Sequence, residues 1–379
     1  IRTGLGCSRR RGVLAGWLQM VTLIGSLGGL SLGGPWFDSL FRAGNSAWEA
    51  AAQAVWVLFA VSLGALLTGT LLQRTRAHAQ LPFRTGVLLE HFKNLRETLA
   101  RRELRLACAG VAIYWFVGSM GAAMFVDAGL LLHPEQGQAG AATAASRMTM
   151  MVGIGTAVGS LLVARACRKK VELGIVPLGA LGMVAMLAAA GWWPPSSGKY
   201  DASLLALGLC SALYMVPVQA FIQDRADAAH RGRVLSSMNL LNSLAGVAAI
   251  GMLFTLKGGF GLGLRVQYWA LAALMLVVSW RSLKLLTQEW VRFCGSRLLR
   301  LFYQVRPMRM ERVPESGGVL MLPNHVSYVD ALILSLAFER PVRFVIWEPF
   351  YKVRWLRGLL SAFGAVPIAP QRAKQGLRR

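Results

Sequence analysis

Apolar residues gather in this chain into long runs broken by short polar gaps. Eight runs reach the roughly 20 residues that a helix needs to cross a bilayer. They cover about 12–34, 50–72, 105–132, 144–165, 173–193, 202–222, 234–256 and 265–285. Lipid offers backbone groups no hydrogen bonds, so each run predicts a helix rather than an extended segment. Charge is unevenly spread over the gaps. Arg9, Arg10 and Arg11 precede the first run, and Arg74, Arg76, Arg84, Lys93, Arg96, Arg101 and Arg102 fill a long loop at 73–104. Arg165, Arg168, Lys169 and Lys170 separate runs four and five, and Arg225, Arg231 and Arg233 separate six and seven. The gaps near 35–49, 133–143 and 194–201 are poor in basic residues. Positive charge favours the cytosolic side, which predicts that both ends of this chain are cytosolic. Lys257 and Arg265 are the exceptions to that pattern. Gly155 and Gly159 form a small-xxx-small pair that lets helices approach closely.

After Leu286 the pattern changes. Trp290 to Tyr303 mixes basic and bulky apolar residues, which predicts either an amphipathic helix on the inner membrane face or the first helix of another domain. Gly317-Gly318 predicts a turn, Val319–Leu322 a strand and Asp330–Phe338 a helix. Val342–Ile346 then predicts a second strand, Val353–Phe363 a basic amphipathic helix and Ala365–Ile368 a third strand. The expected fold is an all-α helical membrane bundle over 1–285, an amphipathic linker over 286–312, and the start of a cytosolic α/β domain over 313–379.

Composition agrees with this division. Of 379 residues 55% are hydrophobic and 15% charged, a balance suited to a polytopic membrane protein. The net charge of +24 fits topology and contact with anionic membrane lipid. No module interleaves aromatic and basic residues, so nucleic acid is not an expected partner. The five cysteines are scattered with no C-x-x-C spacing, so neither a metal site nor a disulfide framework is expected, and no cofactor is implied. The chain begins at Ile1 and stops soon after a domain opens, and is expected to be a piece of a longer protein at both ends.

Two sets of residues carry candidate chemistry. Asp127 and Arg147 lie inside apolar runs near one short gap, where they either pair across the loop or sit solvated at the interface. Gln19, Gln53, Gln219, Asn239 and Asn242 either line a cavity or hydrogen-bond between helices. His325 and Asp330 are five residues apart at a predicted strand-to-helix corner. A neutral imidazole takes a proton from an alcohol attacking an acyl group, and a carboxylate on its other nitrogen fixes the tautomer. The plainer alternative is a structural histidine with a helix-capping aspartate. Arg343, Lys352, Arg354 and Arg357 lie beside Trp347, Phe350, Tyr351 and Trp355, either as a lipid-docking surface or as a solvated helix face.

The long basic loop, the stretch Gly159 to Lys170 and the stretch Arg231-Gly-Arg-Val-Leu-Ser-Ser-Met-Asn-Leu-Leu-Asn242 together resemble the major facilitator superfamily, in its lysophospholipid transporter branch. That resemblance implies twelve spans of which the first four are missing here. Arg165 stands near the place of the basic motif's usual acid. Asn324-His325-Val-Ser327-Tyr-Val-Asp330 after an apolar run resembles the first block of the glycerophospholipid acyltransferases. The resemblance implies that His325 is the general base, that Asp330 orients it, and that Asn324 and Ser327 belong to the substrate site. Gly364 to Arg372 resembles the second block, which implies a substrate-binding role for Arg372 near the glycerol phosphate; Pro367 and Pro370 depart from the common form. The third block, Phe-Pro-Glu-Gly, does not occur.

The two resemblances imply a protein of the bacterial inner membrane that moves a lysophospholipid inward and re-acylates it. The donor would be an acyl thioester, acyl-ACP or acyl-CoA, and an acyl-activating domain would follow in three-part relatives. The alternatives are a transporter of a small amphiphile or drug with a nonfunctional acyltransferase remnant, or an acyltransferase that its spans only tether.

Overall fold

The computed structural model describes residues 25, 28–29, 31–71, 86–133, 140–167, 171–226, 230–305, 308, 313–314, 317–327, 330–338 and 342–369. Helix α1 covers 31–42. It is followed by α2 (Ala47–Gly69), α3 (Val87–Ala100), α4 (Arg102–Leu132), α5 (Ala141–Ala166), α6 (Val176–Trp192), α7 (Gly198–Arg225), α8 (Arg231–Phe254) and α9 (Leu264–Leu285). A 3-10 turn (Leu173–Ile175) leads into α6, and a π-helical turn (Thr255–Gly259) extends α8. Among the described residues, seven of these helical stretches are long and apolar enough to cross a membrane. They correspond to the second through eighth predicted runs. Of the first run, 12–24 lies outside the described residues, as do Gln19 and Arg9 to Arg11.

The core gathers where α4, α6, α7 and α9 face one another. Met120, Met124, Met183, Leu187, Tyr200, Leu204, Tyr268, Leu271 and Met275 are buried there. Half of the most apolar window of α6 and of α7 is buried, against 6% in α2, so α2 stands at the periphery with its apolar surface outward. Lipid-facing helices gain nothing from hydrophobic contact with each other, and close packing has to hold them together. Glycines allow it. A Cβ on Gly155 would overlap the Leu205 carbonyl, and one on Gly208 the Val152 carbonyl. Gly159 faces Leu209 and Ala212 in the same way. The predicted small-xxx-small pair is therefore the α5–α7 crossing. Pro217 lies within α7, where a membrane bundle tolerates it because neighbouring groups satisfy the freed carbonyl.

Two stretches read as loops are helical. The gap near 35–49 continues as α1 to residue 42, and the 73–104 loop contains α3. Helix α3 is amphipathic and docks on the start of α8 through His91 Nδ1 and Ser236 Oγ (3.1 Å) and through Thr98 Oγ1 and Ser237 Oγ (3.5 Å). Both gaps are polar enough to fall outside a membrane-length window, yet keep a 3.6-residue apolar stripe.

Beyond α9, helix α10 (Thr287–Phe302) occupies the predicted linker. Gly174 of the 3-10 turn lies so close that a Cβ would overlap the Glu289 carbonyl, so α10 rests against the membrane body. Its other neighbours include α11 (Asp330–Ala337) and α13 (Arg354–Ala362). Strand β1 (Val345–Trp347), α12 (Glu348–Lys352), α13 and β2 (Val366–Ile368) follow the predicted alternation. β1 and β2 pair in parallel, Val345 opposite Val366 and Trp347 opposite Ile368. The strand expected over Val319–Leu322 does not form: residues 318–327 have no regular structure. A strand needs a neighbouring ladder for its backbone groups, and an apolar run does not supply one.

Candidate active site

His325 sits in the irregular stretch before α11, and Asp330 opens that helix. His325 Nδ1 lies 3.0 Å from Asp330 Oδ2. The same oxygen accepts from the backbone N–H groups of Val326 (2.7 Å) and Ser327 (2.8 Å). The Asp330 N–H in turn donates to the Ser327 carbonyl at 3.0 Å. Both N–H groups that the carboxylate accepts lie before the helix, so Asp330 ties the preceding turn to the first residue of α11. Asp330 is thus both a tie of the turn before α11 and the partner of the imidazole. The amide N–H groups of Ser327 and then Val326, followed by His325 itself, hold its carboxyl below the ordinary carboxylate range.

With Nδ1 engaged by the carboxylate, Nε2 is the ring nitrogen turned away from that contact. The histidine side chain is 75% exposed and Asp330 only 23%, so the imidazole is accessible and the carboxylate is the more sheltered of the two. Asn324 and Ser327 flank His325 in the same stretch and are exposed. Leu320, Leu322 and Val326 of the same stretch expose most of their surface. Arg372 lies outside the described residues, and nothing places it near His325. On the neighbouring surface Trp347 is exposed and meets Phe350 edge to face at 5.9 Å. Arg357 lies 5.9 Å from the Tyr351 ring, and Lys352 pairs with Glu348 at 3.1 Å.

The membrane charges have other partners than the short gap suggested. Asp127 and Arg147 do not pair with each other. Lys257 Nζ donates to Asp127 Oδ1 at 2.6 Å, and Arg147 Nη1 lies 3.3 Å from Asp201 Oδ2. Each acid or base takes its counter-ion from a helix elsewhere in the bundle, because side chains on adjacent helix ends need to face each other as well as lie close. Lys257, an exception to the loop-charge pattern, has its explanation in that ion pair. Asn242, with its amide turned to suit its neighbours, accepts from Trp115 Nε1 (3.3 Å) and donates to the Met238 carbonyl (3.2 Å), so it bonds between helices. Gln53 and Asn239 are exposed.

One residue was missed. Asp38 of α1 is fully buried and its Oδ2 accepts from Thr143 N (2.8 Å) and Thr143 Oγ1 (2.5 Å) of α5. In the sequence it is a lone acid between Trp36-Phe37 and Leu40-Phe41, in a gap too polar to predict a spanning helix.

Comparison with known families gives two matches, one within the helical bundle and one beyond it. Residues 304–378, which include His325 and Asp330, match the Acyltransferase family. Residues 7–250 match the Major Facilitator Superfamily. The protein therefore joins a transporter-type membrane body to an acyltransferase-family domain. By a match over more than half its length, and by its bundle of membrane-length helices, the chain belongs to the Major Facilitator Superfamily.

Proposed function

We propose that the protein transports a lysophospholipid across the membrane and re-acylates it on the cytosolic side. The acyl group comes from a thioester, acyl-ACP or acyl-CoA. His325 acts as general base and Asp330 as its orienting partner. The observation that carries this reading is the 3.0 Å contact of His325 Nδ1 with Asp330 Oδ2. It occurs in a domain that α10 holds against the membrane body.

The chemistry follows from the dyad. The lysophospholipid hydroxyl is too weak an acid to attack a thioester unaided. Nε2 of His325 takes its proton as the oxygen adds to the acyl carbonyl, and Asp330 stabilises the resulting imidazolium. Collapse of the tetrahedral intermediate breaks the C–S bond and forms the ester; the imidazolium returns its proton to the leaving thiolate. Asn324 and Ser327, beside His325, would hold the acceptor, and Arg372 its phosphate. The exposed apolar side chains Leu320, Leu322 and Val326 suit an acceptor and donor that both carry hydrocarbon.

The test is His325→Ala in the full-length protein, reconstituted in vesicles, with labelled lysophospholipid uptake and acylation measured separately. Acylation should fall by about 10²- to 10⁴-fold, the usual worth of a positioned acid–base group, while uptake persists. Unchanged acylation would remove His325 from the mechanism. If the wild-type protein neither takes up nor acylates any lysolipid, the chain is a transporter of another amphiphile.

A further inference from the structure

Between α4, α8 and α9 lies a cavity of about 410 Å³. Ile113, Phe116 and Met120 of α4, Met252 and Leu256 at the end of α8, and Leu274 of α9 line it, and all its lining residues are apolar. The volume falls within the roughly 300–1,000 Å³ of small-molecule sites, but those sites also carry a few polar groups to orient the ligand. This wall has none, so what it receives is hydrocarbon. The flank is open toward lipid, since Met252 is 46% exposed. Along α4 the lining residues run from Ala112 to Met120, about 12 Å at 1.5 Å per residue, so the cavity is a slot running along the helices.

The polar groups missing from the wall stand at one end. Leu256 lines the slot and Lys257 is the next residue. Asp127 lies seven residues beyond Met120, about 10 Å further along α4. Their side chains meet at 2.6 Å. Lys257 sits in the π-helical turn Thr255–Gly259, and such distortions concentrate at functional positions. Its side chain remains 57% exposed while that of Asp127 is 19% exposed, so the cation is the approachable member of the pair. A slot without polar groups, ending at an exposed ammonium whose counter-ion is a carboxylate, complements an amphiphile with one chain and an anionic head. The chain fills the slot, and the phosphate takes the place of the Asp127 carboxylate on Lys257. A two-chain lipid would leave its second chain outside.

We infer that this cavity is the acyl-chain site of the transporter body, with Lys257 the phosphate anchor and Asp127 the partner that reclaims it on release. The inference rests on the lysophospholipid reading above and adds where that lipid sits.

The experiment uses the full-length protein in vesicles and labelled lysophospholipid. Ala245→Phe fills the slot from α8, and Lys257→Gln removes the anchor; each should lower uptake at least about tenfold, the worth of one charge-assisted contact or one excluded chain. Lys257→Arg should keep uptake. Because either loss could reflect poor folding, the wild-type protein is also photolabelled with a lysophospholipid carrying a diazirine at the end of its chain. Labelled peptides should come from α4, α8 and α9, with labelling suppressed by excess lysophospholipid and not by two-chain phospholipid. Labelling elsewhere, equal suppression by two-chain lipid, or normal uptake by Ala245→Phe would overturn the site while leaving the transport reading intact. Absence of lysophospholipid uptake by the wild-type protein would instead sink the functional reading, and the site with it.

Discussion

At the scale of single residues, Asp330 concentrates most of the candidate chemistry. Its carboxylate receives two backbone N–H groups and the imidazole, so it orders the turn as well as the ring. Asp330→Asn retains the size but presents an amide that leaves the imidazole in the wrong tautomer. The expected loss of acylation is about 10³- to 10⁴-fold at unchanged uptake, measured on the same vesicles as His325→Ala. The pH dependence has a definite sign. A carboxyl held below its ordinary range stabilises the turn above that range, and the contribution disappears as pH falls through the depressed value. Asp330 therefore stays charged until pH falls through that depressed value, and an acylation rate lost through protonation of Asp330 within the ordinary carboxylate range would contradict the assignment. Ion pairing elsewhere has smaller consequences. Arg225 and Glu103 meet at 3.1 Å with both side chains more than half exposed. Glu103→Gln should cost less than about 1 kcal/mol, read as a minor shift in the thermal midpoint in detergent.

At the scale of elements, small residues decide which helices touch. Gly155 and Gly208 place the backbones of α5 and α7 in contact, each against a carbonyl of the other helix. Gly208→Ala inserts a methyl where the Val152 carbonyl stands, and the helices must separate. It should destabilise the bundle by about 1–3 kcal/mol, as overpacking does, and lower the midpoint far more than Gly232→Ala, whose Cβ would meet nothing within 4 Å. The apolar runs made α2 and α4 to α9 legible because a membrane helix needs only length and hydropathy. The short polar-flanked helices α1 and α3 were not, since their apolar stripe is diluted by charge. In the C-terminal region α11, α13 and β2 matched their sequence signals within a residue or two. Val319–Leu322 did not, because strand formation depends on a partner that an isolated apolar run cannot specify.

At the scale of the whole molecule, the division into a membrane body and a second domain orders the proposed activities. The orientation proposed from the distribution of Arg and Lys has the loop before α8 on the cytosolic side and the turn before α7 on the other. In a background without native cysteines, Ser196→Cys should react with an impermeant thiol reagent in intact cells, and Arg233→Cys only after permeabilisation. The opposite pattern would invert the topology and place His325 away from cytosolic thioesters. Helix α10 bridges the parts through its contact with Gly174.

Sequence alone determined the membrane body, the change of texture after Leu286 and the spacing of His325 and Asp330. Each depends on short-range quantities: the length of an apolar run, the sign of loop charge, and five residues around one corner. Tertiary structure decided what lies far apart along the chain. Asp127 finds Lys257 across 130 residues, Asp38 reaches Thr143 across 105, and Arg147 takes Asp201 rather than the acid nearest across the gap. Those partners follow from which faces of the helices meet. Glycine contacts and close packing set those faces, and hydropathy, which only counts how apolar a run is, carries no record of them.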